Sequence, residues 1–341
     1  MKKISYILMT LAVVASCTKT EISYDAPSHI SIAPVAKVNT KASLTQYPTT
    51  GLPLHVFAYT EDNKSYLNDV VFNYDNTAQS FINADAFWPN EKKLVFAGVS
   101  GSGNIGAPTN PAPVAMNFST NTLTIGTSTN VYTQPDAGNN DLLWFPTTEE
   151  YGKQATAVGV VMNHACALLQ FNFIAESGLT RWKIKTLVVE DIYKSGYADC
   201  VVDGTTPKAV WTTSGSTGDF AVYTRAANAN EEEYTIKNDD SNANTNDYIT
   251  PENTTDNTIV IPQAPTRLTV TYEFTSQASG QIEETISIPL SIGKETIDGT
   301  EQDMKWQSGK RYIYNITMGA DQIKIAPRVD SWDPETVPAH N

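Results

Sequence analysis

Four histidines, His29, His55, His164 and His340, are the imidazoles on which a proton-transfer or metal site could draw. None stands in an H-E-x-x-H pair, where two imidazoles one helical turn apart hold zinc and a glutamate serves as base. His164 falls in the most apolar run of the chain, which points to a core histidine with a satisfied hydrogen bond. Glu149-Glu150 and Glu283-Glu284 sit beside turn residues and read as solvated surface. Gly101-Ser102-Gly103-Asn104-Ile105-Gly106 spells G-x-G-x-x-G after a strand. That fingerprint holds a pyrophosphate only where a helix begins at its end, and Pro108, Pro111 and Pro113 forbid one here. Asp240-Ser241-Asn242-Ala243-Asn244 spaces oxygens like the opening of a calcium loop. The loop needs Gly sixth and Glu twelfth, and this chain has Thr245 and Pro251, so only adventitious binding would follow. Six tryptophans and sixteen tyrosines could include a sugar-stacking platform, although core packing is the default for such residues in β-sandwiches. No set of acid, base and nucleophile emerges. The expectation is therefore no enzyme, no cofactor and no metal.

The cysteines carry the remaining chemistry. Lys2 and Lys3 open a positively charged leader, and Ile4 to Ala15 is a mainly apolar run too short to span a bilayer. Ala15-Ser16-Cys17 then places small residues before a cysteine, as in the lipobox of bacterial lipoproteins, where cleavage precedes the Cys and the Cys is acylated. Residues 1–16 are thus expected to be a lipoprotein signal peptide, Cys17 the lipidation site, and 17–27 a polar tether. Cys166 and Cys200 remain. An exported chain could pair them; both also lie in apolar strand-like runs, where two buried thiols fit equally well.

The elements that position these residues read as strands. The chain has 341 residues, 40% hydrophobic and 18% charged, which suits a folded protein of about two domains. Thr, Asn, Ser, Val and Tyr are frequent and favour strands and turns. A net charge of −14 repels phosphate backbones and excludes nucleic acid as the expected partner. Strands are predicted at Ile30–Val38, Leu54–Tyr59, Val70–Tyr74, Ser80–Asn83, Lys93–Val99, Met116–Phe118 and Leu123–Thr127. Ala157 to Phe173 reads as one long strand buried between two sheets. A second set follows from Trp182: Ile184–Ile192, Ala198–Val202, Val210–Thr212, Phe220–Thr224, Thr258–Ile261, Leu268–Phe274, Thr285–Ile292 and Tyr312–Met318. Ala226 to Thr255 is a polar loop. The fold class is all-β, with β-sandwiches over 28–177 and 178–341 and a boundary near Ser177-Gly178.

Two strands share a pattern. Ile30-Ser31-Ile32-Ala33-Pro34-Val35 near the head and Ile323-Lys324-Ile325-Ala326-Pro327-Arg328-Val329 near the tail both spell I-x-I-A-P. In each, the odd apolar set would share one strand face. A proline inside a strand confines it to a sheet edge or a bulge. Two strands shaped for one groove would let a tail (Ile323, Ile325, Pro327, Val329) occupy the groove that a head (Ile30, Ile32, Pro34) leaves. Such a chain can polymerise.

Several segments together resemble the fimbrillin-like family, the type V pilins of Gram-negative anaerobes. They are Cys17, Asn140-Asp141-Leu142-Leu143, the run Val158 to Phe171 with its His164, Ile261-Pro262-Gln263 before Leu268 to Tyr272, Trp306-x-x-Gly309-Lys310-Arg311-Tyr312, and Val329-Asp330-Ser331-Trp332-Asp333. The resemblance covers nearly the whole mature chain. It implies two transthyretin-like β-sandwich domains, export as an outer-membrane lipoprotein, and a final place on the cell surface in a fimbrium. It implies other pilin subunits, self or related, as partners, with a host or bacterial surface ligand besides. It also implies that a trypsin-like protease cuts after a basic residue behind the first strand, and that a neighbour's C-terminal strand fills the vacated groove. The matching position is Lys41, with Lys37 the second choice; the family carries Arg there, and no Arg precedes Arg181. The alternative is a surface lipoprotein that binds glycans for nutrient capture. It predicts an exposed row of aromatics and an ordinary internal strand at Ile323–Trp332.

Overall fold

The computed structural model describes residues 28–35, 52–101, 103–105, 107, 109–135, 141–175, 182–225, 236, 258–276, 280–297, 300–319 and 323–331. Within them the chain is all-β, with no helix. The first twelve strands are β1 (His29–Pro34), β2 (Leu54–Thr60), β3 (Ser65–Asp75), β4 (Ser80–Phe87), β5 (Leu94–Gly101), β6 (Val114–Asn117), β7 (Thr122–Ile125), β8 (Tyr132–Thr133), β9 (Leu142–Phe145), β10 (Val158–Val160), β11 (Asn163–His164) and β12 (Ala167–Ala175). The remainder are β13 (Lys183–Asp203), β14 (Thr206–Thr224), β15 (Thr258–Val260), β16 (Arg267–Ser276), β17 (Gly280–Pro289), β18 (Lys294–Ile297), β19 (Thr300–Asp303), β20 (Lys310–Met318) and β21 (Ile323–Ser331).

An eight-stranded sheet has the order β10-β1-β4-β3-β2-β5-β9-β11. Its two end strands are joined by Val161-Met162 alone. Three Cα steps from Val160 to Asn163 span at most about 11 Å, whereas the ends of a flat eight-stranded sheet would stand about 34 Å apart. The sheet must therefore curl onto itself. β3 is the corner: its residues up to Phe72 pair with β2, and Asn73 to Asp75 pair with β4. Between the two layers lies a core of Ile30, Ile32, Phe72, Phe81, Phe96, Phe145, Val158 and Val160 among others.

A four-stranded sheet, β15-β12-β20-β21, packs on a seven-stranded one built on β17-β16-β13-β7-β6, with β14 and β8 also on β13. β12 pairs in parallel with β20 from Leu168↔Arg311 to Ala175↔Met318. Its near-continuous apolar sequence fits a strand covered on both faces. Phe171, Phe173, Tyr312, Tyr314 and Ile316 of these strands meet Ile184, Leu187, Val189, Val270 and Tyr272. Trp306 Nε1 donates to the Tyr314 hydroxyl at 2.8 Å, and that hydroxyl donates to the Leu290 carbonyl at 2.9 Å, so two buried polar groups are satisfied by one chain of bonds. A third cluster joins Phe57, Val99 and Trp144 to Leu123, Ile125, Cys166, Ala198 and Cys200. Trp88, Trp144, Trp182 and Trp306 are all core residues, as β-sandwich packing predicts.

Three expectations are corrected. β1 is not an edge strand, since it lies between β4 and β10. Its proline is tolerated because Pro34 ends the strand and the β4 register has already stopped at Ile32. The run Ala157 to Phe173 is three strands, with β10 and β11 closing the curled sheet and only β12 reaching the second core. Continuous burial, which all three share, hides the crossing. The pairs of short strands read at 184–202 and 210–224 are the long strands β13 and β14. Register shifts after Leu187, Val189 and Tyr193, and the left-handed Gly215, absorb the irregularity that looked like turns. The hairpin β18–β19 was not foreseen at all. Ser177 and Gly178 lie outside the described residues. β12 precedes them and pairs with β15 and β20, while β7 and β8 pair with β13 and β6 pairs with β7.

Cys166 and Cys200 are free thiols in one core cluster. Burial pushes both thiols well above their usual range, with the charge of Asp141 adding to the effect at Cys166.

Alkaline stability follows from the tyrosines. Burial, then the hydrogen bond to Glu284, pushes Tyr272 up to about 12, and burial raises Tyr314 as well. The folded state then holds its phenolic protons more tightly than the unfolded chain, so the stabilisation is complete below about pH 10 and is lost as pH rises through the 10–12 window. Thermal melts from pH 9 to 11.5 are expected to show a falling Tm, with Tyr272→Phe flattening the fall.

Candidate assembly surface

The head strand is built into its groove. Ile30 and Ile32 are 0% exposed, which is worth about 3–6 kcal/mol of apolar burial for the pair. Pro34 is buried with them. Ser31 and Ala33 point the other way and are half-covered. β4 holds one edge antiparallel, with Ile32 opposite Phe81 and a bulge between His29 and Ser31. β10 holds the other edge in parallel, with Ile32, Ala33 and Pro34 opposite Val158, Gly159 and Val160. Backbone bonds continue past both ends: Trp88 N–H to the Ser28 carbonyl at 2.9 Å, and Val35 N–H to the Val160 carbonyl at 2.8 Å. The ring of His29 lies 4.3 Å from that of Phe87.

Gly159 has a steric reason. A Cβ there would sit 3.1 Å from Val35 Cγ1, so a side chain would crowd the Val35 side chain and make it give by a few tenths of an ångström. Beside it opens a cleft of about 360 Å³ lined by Phe145, Glu149, Tyr151, Gly159, Val161 and Asn163 among others. Burial, and then the neighbouring charge of Glu149, raises the Tyr151 hydroxyl above the ordinary phenol range. Sequence reading missed Gly159 and Glu149. The signal was present in Val158-Gly159-Val160, where a small residue interrupts two buried valines.

The tail strand is held differently. β21 lies at the edge of its sheet and pairs only with β20 among the described residues, over nine positions from Lys310↔Ser331 to Met318↔Ile323. The four apolar residues alternate along one side of the strand, and in the monomer their burial is uneven. Ile323 and Ile325 are half-buried against the second core, Pro327 is exposed, and Val329 is 42% exposed. Only the first half of the strand overlies that core, so the apolar row runs off it. Lys324 and Arg328 are exposed, and Arg328 reaches Asp330 at 2.9 Å. The structure keeps β1 and β21 in separate sheets. Cys17, Lys37 and Lys41 lie outside the described residues, as do Trp332 and the Asp240–Asn244 loop.

His164 and Asp141 pin the far end of the curled sheet. His164 Nδ1 and Asp141 Oδ2 are 2.5 Å apart with side chains 1% and 9% exposed. Asp141 Oδ1 also accepts from Leu142 N–H at 2.8 Å. His164 is a core histidine with its partner.

Comparison with known proteins gives one consistent result. A family model described as fimbrillin-like matches residues 40–332. No curated protein matches the sequence significantly. Among solved structures, a fimbrial protein from Bacteroides vulgatus superposes with a TM-score of 0.55 at 14% identity, covering 89% of this chain and 99% of that one. A candidate cell adhesion protein from Parabacteroides distasonis gives 0.51 at 10% identity, over 92% and 99%. At such identities the likeness is one of fold.

Proposed function

The chain belongs to the fimbrillin-like family, and on that premise we propose that it is a pilus or adhesion subunit, exported as a lipoprotein through Cys17 and polymerised by strand exchange. Cleavage after Lys41, or after Lys37, would free β1, and β21 of a neighbour would take its seat. The division into two transthyretin-like sandwiches is part of the same reading.

The carrying observation is a difference in burial. The I-x-I-A-P row is sealed in β1 and only half covered in β21, which is an edge strand near the C-terminus. An edge strand with an incompletely buried apolar row gains by moving to a groove that buries all of it. The glycan-binding reading needs a row of exposed aromatics. Tyr66 is the exposed large aromatic among the described residues, and its hydroxyl is tied to the Phe87 carbonyl at 2.7 Å.

The test uses the full-length lipoprotein and a trypsin-class protease. The expected products are a released lipid-bearing N-terminal peptide, seen by mass spectrometry, and a ladder of polymers that survives mild denaturation. Lys37→Ala with Lys41→Ala should stay monomeric. A wild-type chain that loses its N-terminal peptide and remains monomeric would overturn the exchange.

A further inference from the structure

Resting on the strand-exchange reading, we propose that the cleft beside Gly159 is the seat for Arg328 of a second copy of this chain, and that this contact sets the register of the incoming strand. The shared pattern aligns Ile323, Ile325 and Pro327 with Ile30, Ile32 and Pro34, all of which are buried. It aligns Ala326 with Ala33, which lies opposite Gly159. The two strands therefore agree wherever the groove is closed. They differ at two outward-facing positions, half-covered Ser31, which aligns with Lys324, and Val35, which aligns with Arg328.

That position is open. Val35 is 41% exposed and rests its Cγ1 over Gly159, at the wall of the cleft. An arginine there has room to extend, and Glu149 and Tyr151 line the same cleft. Glu150, next along, is engaged by Lys93 at 3.5 Å. The guanidinium offers five donors, which suits a site presenting a carboxylate and a phenolic oxygen better than an ammonium would. In its own sheet Arg328 spends its charge on Asp330, two residues along the same strand. Asp330 travels with it, so the cleft competes for one face of the guanidinium while Arg311 loses its contact to Asp330. A slip of one residue would turn every buried side chain outward, and a slip of two would take Arg328 off the cleft while leaving the apolar face inward. The Glu149 contact discriminates the second error, which packing alone does not.

Two measurements decide this. In the full chain, Val35→Arg places an arginine at the aligned position with β1 still seated. Its Tm is expected to exceed that of Val35→Gln by about 1 °C, roughly the shift a contact worth half a kcal/mol gives at this size, and the difference should vanish in the Glu149→Gln background. A difference that persists without Glu149 overturns the pairing. In protease-triggered assembly of full-length protein, Arg328→Gln and Glu149→Gln are each expected to slow polymer growth about tenfold, with the double variant no slower than either. Growth at the wild-type rate, or additive losses, overturns the proposal. If wild-type protein itself never polymerises, strand exchange fails, and the Val35 comparison alone decides whether the cleft holds an arginine.

Discussion

Ile325→Asp is expected to leave a folded monomer and to abolish assembly, by more than a hundredfold in polymer yield. The asymmetry comes from where one side chain sits in two states. In the monomer Ile325 is half-buried on an edge strand, and a carboxylate there can turn to water. The cost is that of a surface substitution with some lost apolar contact, about 1 kcal/mol. In the groove the aligned residue is Ile32, 0% exposed and walled by Phe81 and Val158. A carboxylate in that position has no partner, and removing it from water costs several kcal/mol. Ile32→Asp is the control, and it is expected to unfold the monomer. Melting curves read the first effect and size-exclusion chromatography after proteolysis reads the second. Wild-type polymer yield from Ile325→Asp would mean that another segment fills the groove.

Much of this was legible in the chain, and the failures have a common cause. Alternation in Ile30–Pro34 and Ile323–Val329 marked both strands, because residue period reports face directly. It did not report neighbours. Whether a strand is internal depends on what pairs with it, and β10, which covers the outer edge of β1, is three residues inside an apolar run. Pro34 was read as an edge signal, but a proline at a strand end removes no bond from the ladder that stops before it. The same gap hid the crossing at Val161-Met162. Continuous apolar sequence means burial on both faces and is silent about which sheet does the burying.

The site residues divide on the same line. Ile30 and Ile32 are visible because burial requires their chemistry. Glu149 and Gly159 become candidates only when β10 is laid beside β1, since their roles are set by a contact across the sheet and not by spacing. The family match begins at residue 40, so it includes β21 and leaves β1 to be argued from geometry.

Asp141→Ala is expected to cost about 3–5 kcal/mol, the largest single loss of stability predicted among polar residues here, because it removes the carboxylate that a buried histidine faces at 2.5 Å. His164 stands opposite Leu143 in the β9–β11 pair, and its buried Nδ1 lies 2.5 Å from Asp141 Oδ2. Asp141→Ala also frees the Leu142 N–H, a second loss at the same site. His164→Ala should cost a similar amount, and the double variant less than the sum, since one removal already breaks the unit. Urea unfolding of the four proteins gives the coupling directly, and additive losses would mean that the two groups do not act as a pair. The position gives the pair a further consequence. β11 follows β10 by two residues, so whatever anchors β11 on β9 also holds β10 against β1. Loosening that anchor should raise the rate at which β1 leaves its groove after cleavage. Asp141→Asn, which keeps a hydrogen-bonding group of the same size, separates the effects: it should recover part of the stability and, with it, the slower release of the head strand.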